Sequence, residues 1–541
     1  MSEPGNGGVA EEIEGPGGGS GPGTRRGLVV GGAVAAVLLV GGGVWAWGAW
    51  FNQGSQPADA LPADTLAYVA IDLDPTGQQK VEALRTLKKF PAFEEELGFD
   101  TTDDLRKEIF EEVQEDGTCT GLDYAEDVEP WLGDRGAFAM VPGEAEPAPV
   151  FVVQVKDEAA AETGIEALVE CGSEDQASSD EEGGYAIAGG WVALAETEEI
   201  AEAVLADGAE ANLADDEDFQ KWTGEAGDPG ILTMYAAPAA GPALVEFGGA
   251  EMGDELSDEF GGGDAGQEMA DLVTEVLDGF GGAAGIVRFS DGALEFEAAA
   301  APFEGDLKQI AGLDGGGVGE LVTGLPDTTA AVFGFAFPEG YASTLLDAYA
   351  PMIEQESGMS LDEAIAEAER ETGLAIPEDL DTLLGEGIAV AVDGTIQSSD
   401  VMAFDPSQIP AGIRIKGDAT EIEGVLDKLR TLMGPGAELL LSEADGDHVV
   451  IGTDQTYLDS VVEGGDLGDV DVFEDVVPRA DDAAVVYYIH FDAENWLDNL
   501  VADFGDDELA ANIEPLAALG VSSWLEDDES LRSLVRITTG D

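Results

Sequence analysis

The chain repeats itself, and that repetition constrains its fold more than any short motif does. Leu61-Pro62-Ala63-Asp64-Thr65 and Leu325-Pro326-Asp327-Thr328-Thr329 each open onto an apolar run, residues 66–73 and 330–337. Further along, Gly121-Leu122-Asp123-Tyr124-Ala125-Glu126-Asp127-Val128 with Trp131-Leu132-Gly133 corresponds to Gly373-Leu374-Ala375-Ile376-Pro377-Glu378-Asp379-Leu380 with Leu383-Leu384-Gly385. Both blocks lead into another apolar run, residues 137–141 and 388–392. Val153-Gln154-Val155-Lys156 then matches Ile413-Arg414-Ile415-Lys416, each followed by a stretch of helical spacing.

The second helix carries Asp418 and Glu421 in a capping-box pattern, then Ile422, Val425, Leu426 and Leu429 on one face. Hairpins follow in both copies. Gly189-Gly190 turns residues 185–188 into 191–195, and Asp445-Gly446 turns 439–441 into 448–452. A short helix and a strand (231–235 and 484–488) come next. Each copy closes on a last pair of strands, 285–289 with 294–298, and 520–525 with 531–537.

Hairpin connections imply antiparallel pairing, and amphipathic helices need a sheet face to cover. The expected class is therefore α+β: two tandem copies of a mainly antiparallel sheet unit with covering helices, preceded by one transmembrane helix. The boundaries follow from composition. Residues 1–24 read as a disordered tail, 25–51 as a membrane anchor and 52–60 as a polar stalk. Residues 61–302 form the first repeat, 303–323 a Gly-rich linker and 324–541 the second repeat; 172–184 and 248–266 read as mobile loops.

The anchor reading rests on residues 28–51, which carry no charge. At about 1.5 Å per residue they make roughly 36 Å of helix, enough to cross a hydrocarbon core of about 30 Å. Trp45, Trp47, Trp50 and Phe51 cluster at the far end, where aromatic rings favour the membrane interface. Arg25 and Arg26 flank the near end, and the next basic residue is Lys80. That asymmetry puts the N-terminus in the cytoplasm and the bulk of the chain outside the cell membrane. The apolar run is longer than the core of a cleaved signal, which favours a retained anchor. In an oxidising compartment, two cysteines, Cys119 and Cys171, are expected to pair. Closing that loop stabilises the fold by on the order of 4 kcal/mol in the chain-entropy account.

Charge then narrows the partners. The chain holds 115 Asp+Glu against 21 Lys+Arg, a formal net charge of −94. Such a field repels phosphate backbones, so nucleic acid is excluded as a partner, while diffuse cations gather around the surface. With 44% hydrophobic residues the chain is not a disordered acidic polymer. The acidity equally suits a surface kept hydrated at high ionic strength.

Catalytic signatures are scarce. Asp72-Leu73-Asp74-Pro75-Thr76 fits the nucleophile loop of haloacid-dehalogenase-like phosphatases, but those need a doubly wound parallel sheet, and the second copy has Ala336-Phe337-Pro338 at the same place. His448 and His490 are the only histidines, and neither sits in a zinc-binding spacing. Asp445-Gly446-Asp447 and Asp469-Val470-Asp471 offer oxygens without an EF-hand loop around them. No cofactor, catalytic residue or resident metal is expected.

The Leu61–Thr65 opening, the strand Tyr68-Val69-Ala70-Ile71-Asp72 and the 121–141 block with Trp131-Leu132-Gly133 resemble the Domain of Unknown Function 3352 family. The resemblance implies a bacterial protein, membrane-anchored or exported, and brings no functional residues with it. Together these readings give an expectation: a membrane-anchored extracytoplasmic protein, a non-enzymatic binding or structural module of the cell envelope with an envelope partner. The alternative is an extracytoplasmic carboxylate- or metal-dependent hydrolase.

Overall fold

A computed structural model describes residues 55–72, 78–91, 106–107, 110–111, 114, 119, 121–143, 146–175, 183–247, 263–302, 317–396, 409–497 and 507–540. The tail, the anchor, Arg25, Arg26, Trp45, Trp47, Trp50 and Phe51 lie outside the described residues. So do most of the two stretches read as mobile loops, which are described only for 172–175, 183–184 and 263–266. Among the described residues no helix is long and apolar enough to cross a membrane.

Sixteen strands form the frame. In the first half they are β1 (Ala67–Asp72), β2 (Leu132–Val141), β3 (Ala148–Val155), β4 (Gly184–Ala188), β5 (Trp191–Ala195), β6 (Leu232–Ala236), β7 (Ala283–Ser290) and β8 (Ala293–Ala300). In the second they are β9 (Thr329–Ala336), β10 (Gly387–Asp393), β11 (Ala411–Lys416), β12 (Leu441–Asp445), β13 (His448–Gly452), β14 (Val485–His490), β15 (Leu516–Leu525) and β16 (Leu531–Thr539). Most overlap the apolar runs read as strands, but β12 is shifted to Leu441–Asp445 from the expected 439–441, because Gly434–Leu439 forms a 3-10 turn. At the tip between β4 and β5, Gly189 and Gly190 both take positive φ, 63° and 83°, the twist a two-residue hairpin turn requires.

The sheet order is β12-β13-β11-β10-β9-β14-β15-β16-β8-β7-β6-β1-β2-β3-β5-β4, and neighbouring strands run antiparallel throughout. This corrects the expected architecture. The described residues do not form two tandem sheet units, and none of their helices crosses a membrane; they build one sixteen-stranded sheet. The seam is β8 against β16, with register running from Leu531↔Ala300 to Thr538↔Ala293. The physical reason is backbone supply. A last strand on each half leaves a row of unpaired N–H and C=O groups, and the two rows satisfy each other. Side chains reinforce the seam. Glu295 forms ion pairs with Arg536 at 3.0 Å and Arg288 at 2.7 Å, while Glu297 meets Arg532 at 3.1 Å and Arg288 at 2.6 Å.

One face of the sheet carries two large cores. Leu61, Tyr68, Ala139, Val150, Trp191, Trp222 and Tyr235 pack in the first half. Leu321, Leu325, Val332, Leu458, Phe473 and Tyr488 pack in the second. The opposite face is buried towards the two ends, by Trp131, Ile165 and Leu168 on one side and Ile415, Ile422 and Leu426 on the other. Its middle is more open: Val69, Val390 and Tyr487 are 38%, 36% and 47% exposed. There Phe333 lies 4.4 Å from Tyr487, centroid to centroid.

Two stretches read as spacers are structural where they are described. Residues 57–59 of the stalk form a 3-10 turn with Pro57 and Ala58 buried. The end of the Gly-rich stretch forms the helix Gly319–Thr323, and Val318, Leu321 and Val322 are fully buried.

Candidate functional site

A cavity of about 340 Å³ opens in the first half, on the face that carries the two large cores. That volume is at the lower end of the roughly 300–1,000 Å³ typical of small-ligand sites. Strand periodicity builds its floor. On β1 the side chains of Tyr68, Ala70 and Asp72 point to one face, joined by Thr233 of β6 and Ile286 of β7. The roof is the helix Glu217–Glu225, started by Asp216, whose carboxylate accepts from the Phe219 N–H at 2.9 Å. Phe219, Gln220, Thr223 and Gly224 of this helix line the space. Gln56, Pro57 and Ala58 close one side.

The walls are mostly apolar, with polar groups at fixed places. Asp72, buried, receives the Arg135 Nε–H at 2.8 Å, and the two residues sit directly opposite on β1 and β2. Arg135 also donates to the Ser55 carbonyl at 3.4 Å, which ties the incoming chain to the same end of the cavity. Gln220 Nε2 donates to the Ala214 carbonyl at 2.8 Å and Thr223 Oγ1 to the Phe219 carbonyl at 2.5 Å. The Thr233 hydroxyl makes no hydrogen bond to another described residue. Burial, opposed by a hydrogen bond with the Ala58 backbone, pushes the Tyr68 phenol well above its ordinary pKa, so it stays protonated. Burial likewise raises Tyr235, which stacks edge-on against Phe219 at 5.1 Å.

The second half has the same frame, with the equivalent position filled. Phe473 and Tyr488 repeat the edge-on pair at 5.0 Å. Aligning Leu61 with Leu325 puts Val332 at the place of Tyr68, Gly334 at Ala70 and Ala336 at Asp72. It also puts Leu321 and Val322 where the first half has Pro57 and Ala58. Those larger side chains fill the position, so tightly that a Cβ on Gly334 would lie 2.7 Å from Val322. The cavity exists because the first half covers its strand with small residues. In the sequence, the difference between the two repeats at these positions is the signal that marks it.

The residues singled out in the sequence are placed elsewhere or apart. Cys119 and Cys171 form a disulfide, Cα to Cα 5.4 Å, which ties the helix Glu158–Asp175 down on the face opposite the cavity. Asp72 is held in its ion pair, Asp74 lies outside the described residues, and the antiparallel sheet removes the phosphatase reading. His448 on β13 contacts Asp447 at 2.9 Å through Nδ1. His490 ends β14, four strands away in the sheet, with its carbonyl accepting from the Trp496 indole at 2.8 Å. Burial lowers the pKa of both histidines, and Arg414 adds to that at His448. Among the described residues no three His, Cys, Asp or Glu side chains converge as a metal site would require.

Searches of curated proteins and of solved structures find no match to the chain. A family profile does match, over residues 29–244, a span that includes β1 to β6 and most of the cavity wall. Over that span, less than half of its length, the chain is similar to the family described as Protein of unknown function (DUF3352).

Proposed function

We propose that this protein is a non-enzymatic binding module that holds a small, largely apolar, uncharged ligand in the first-half cavity. One observation carries the reading: where the first half leaves a cavity, the second half has buried Leu321 and Val322 packed over the same strand frame. Apolar walls select an apolar body, and the Thr233 hydroxyl offers a hydrogen bond to one polar group. Among the described residues the one charged group on the wall, Asp72, is already neutralised by Arg135, so a charged ligand would gain no partner there and would lose its hydration. In this reading the module is tethered to the cell membrane and works on its outer side.

The test is binding of prodan, a small neutral fluorescent probe, to the full chain in detergent. The signal is taken as the difference from an Ala70→Leu variant, so that partition into micelles cancels. Saturable binding by the native chain, reduced at least tenfold in the variant, is the expected result. Equal signals from two folded, disulfide-intact proteins would refute the reading.

A further inference from the structure

We infer that the cavity draws its ligand from a lipid bilayer, so that the ligand is a neutral, membrane-partitioned amphiphile with a single chain or ring system. This rests on the cavity being a binding site and on the proposed membrane tether through residues 28–51. Its argument joins the cavity wall to the sequence just before it. Gln56, Pro57 and Ala58 line the cavity, and the uncharged apolar run ends at Phe51. An extended chain spans at most about 3.6 Å per residue, so the five steps from Phe51 to Gln56 reach no more than roughly 18 Å. The tether is short at its far end too: the Ser55 carbonyl is held by Arg135, which pairs with Asp72 on the cavity wall. With residues 28–51 crossing a membrane, the cavity wall cannot stand farther from the bilayer surface than that leash.

Charge and size set the ligand class. A net charge of −94 disfavours approach of anionic headgroups, and among the described residues the cavity wall holds no cation to receive one. About 340 Å³ is too small for a two-chain phospholipid but accommodates one chain or a compact ring system with a hydroxyl. A molecule of that kind is dilute in water and concentrated in the bilayer, where a site on a short leash reaches it.

The experiment uses the full chain reconstituted in phosphatidylcholine vesicles. Bimane is attached at Gln220→Cys on the cavity roof or, in a second protein, at Glu443→Cys on β12, at the far end of the sheet. Headgroup spin-labelled phosphatidylcholine should quench position 220 at least threefold more than position 443. In a second arm, 11-bromoundecanol supplied only in the vesicles should quench position 220, and the added Ala70→Leu change should abolish that. Equal headgroup quenching at both positions, or no bromoundecanol quenching at 220, overturns the inference. Prodan binding separates the two failures: if it persists, the cavity reading stands and only the bilayer source falls.

Discussion

The two halves of the sheet differ most where they are built most alike. Both keep the edge-on aromatic pair, Phe219 with Tyr235 and Phe473 with Tyr488, beneath a short helix. Both run their strands in the same order from seam to outer edge. Yet the segment before the first strand is Pro57-Ala58 in one half and Leu321-Val322 in the other, and only the small pair leaves a cavity. A duplicated frame can thus keep one copy as a packed support while the other holds an opening. The lesson is that binding capacity here depends on what was omitted, not on an added catalytic group.

The comparison can be broken or sharpened by experiment, and the seam should give the largest effect. Glu295→Ala leaves Arg288 and Arg536 without their shared carboxylate in a largely buried setting. A loss of about 3–5 kcal/mol is expected, read by urea unfolding. If the halves are truly one unit, both should unfold together at a lower midpoint; two separated transitions would show that the seam is dispensable. Next comes the disulfide, which only the first half has. Reduction should cost up to about 4 kcal/mol and destabilise the first half selectively, as read by hydrogen exchange of β2 and β3 against β10 and β11.

Leu321→Ala should cost about 3 kcal/mol and open a second cavity over β9. Prodan should then bind at two sites per chain; a single site would mean that size alone does not make the first cavity. The opposite change, Ala70→Leu, should raise stability by about 1 kcal/mol by filling space, measured as a higher urea midpoint in ligand-free protein.

The mildest effect is on pH. Both histidines lie in the second half, each with a pKa held below the ordinary 6.5 by burial. The unfolded chain therefore binds protons that the folded chain refuses, and stability falls as pH drops below about 6.5. At His448 the facing charges are Arg414 and Lys416, which oppose protonation, and Asp447 and Asp445, which favour it. The double variant His448→Gln, His490→Gln should flatten the stability profile between pH 7 and 5.5. An unchanged slope would place the sensitivity in carboxylates.

Much of the frame was legible because strands and hairpins write themselves into alternation and glycine. Gly189-Gly190 marks its turn outright, and the even cysteine count anticipated the pairing of Cys119 with Cys171. The fused sheet was not legible. Alternation along β8 and β16 reports which face is buried, whereas joining is decided by backbone groups on the edge, which every sequence has. Glutamates and arginines at the seam hint at it only once they are known to be neighbours. Composition also misled at 318–322, where glycines flank Val318, Leu321 and Val322 and hide three core side chains inside a stretch that reads as linker. The cavity was half-visible. The contrast of Asp72 with Ala336 appeared in the repeat alignment, but its meaning depends on Arg135 lying opposite and on the helix above.

Fusing the halves through β8 and β16 also changes how the protein behaves in a crowd. Two independent eight-stranded sheets would offer four border strands to other chains; among the described residues the fused sheet has two, β4 and β12. On β12 the exposed Glu443 and Asp445 put like charges where an incoming copy would have to align its own. Head-on pairing of two copies through that border is then opposed by electrostatic repulsion.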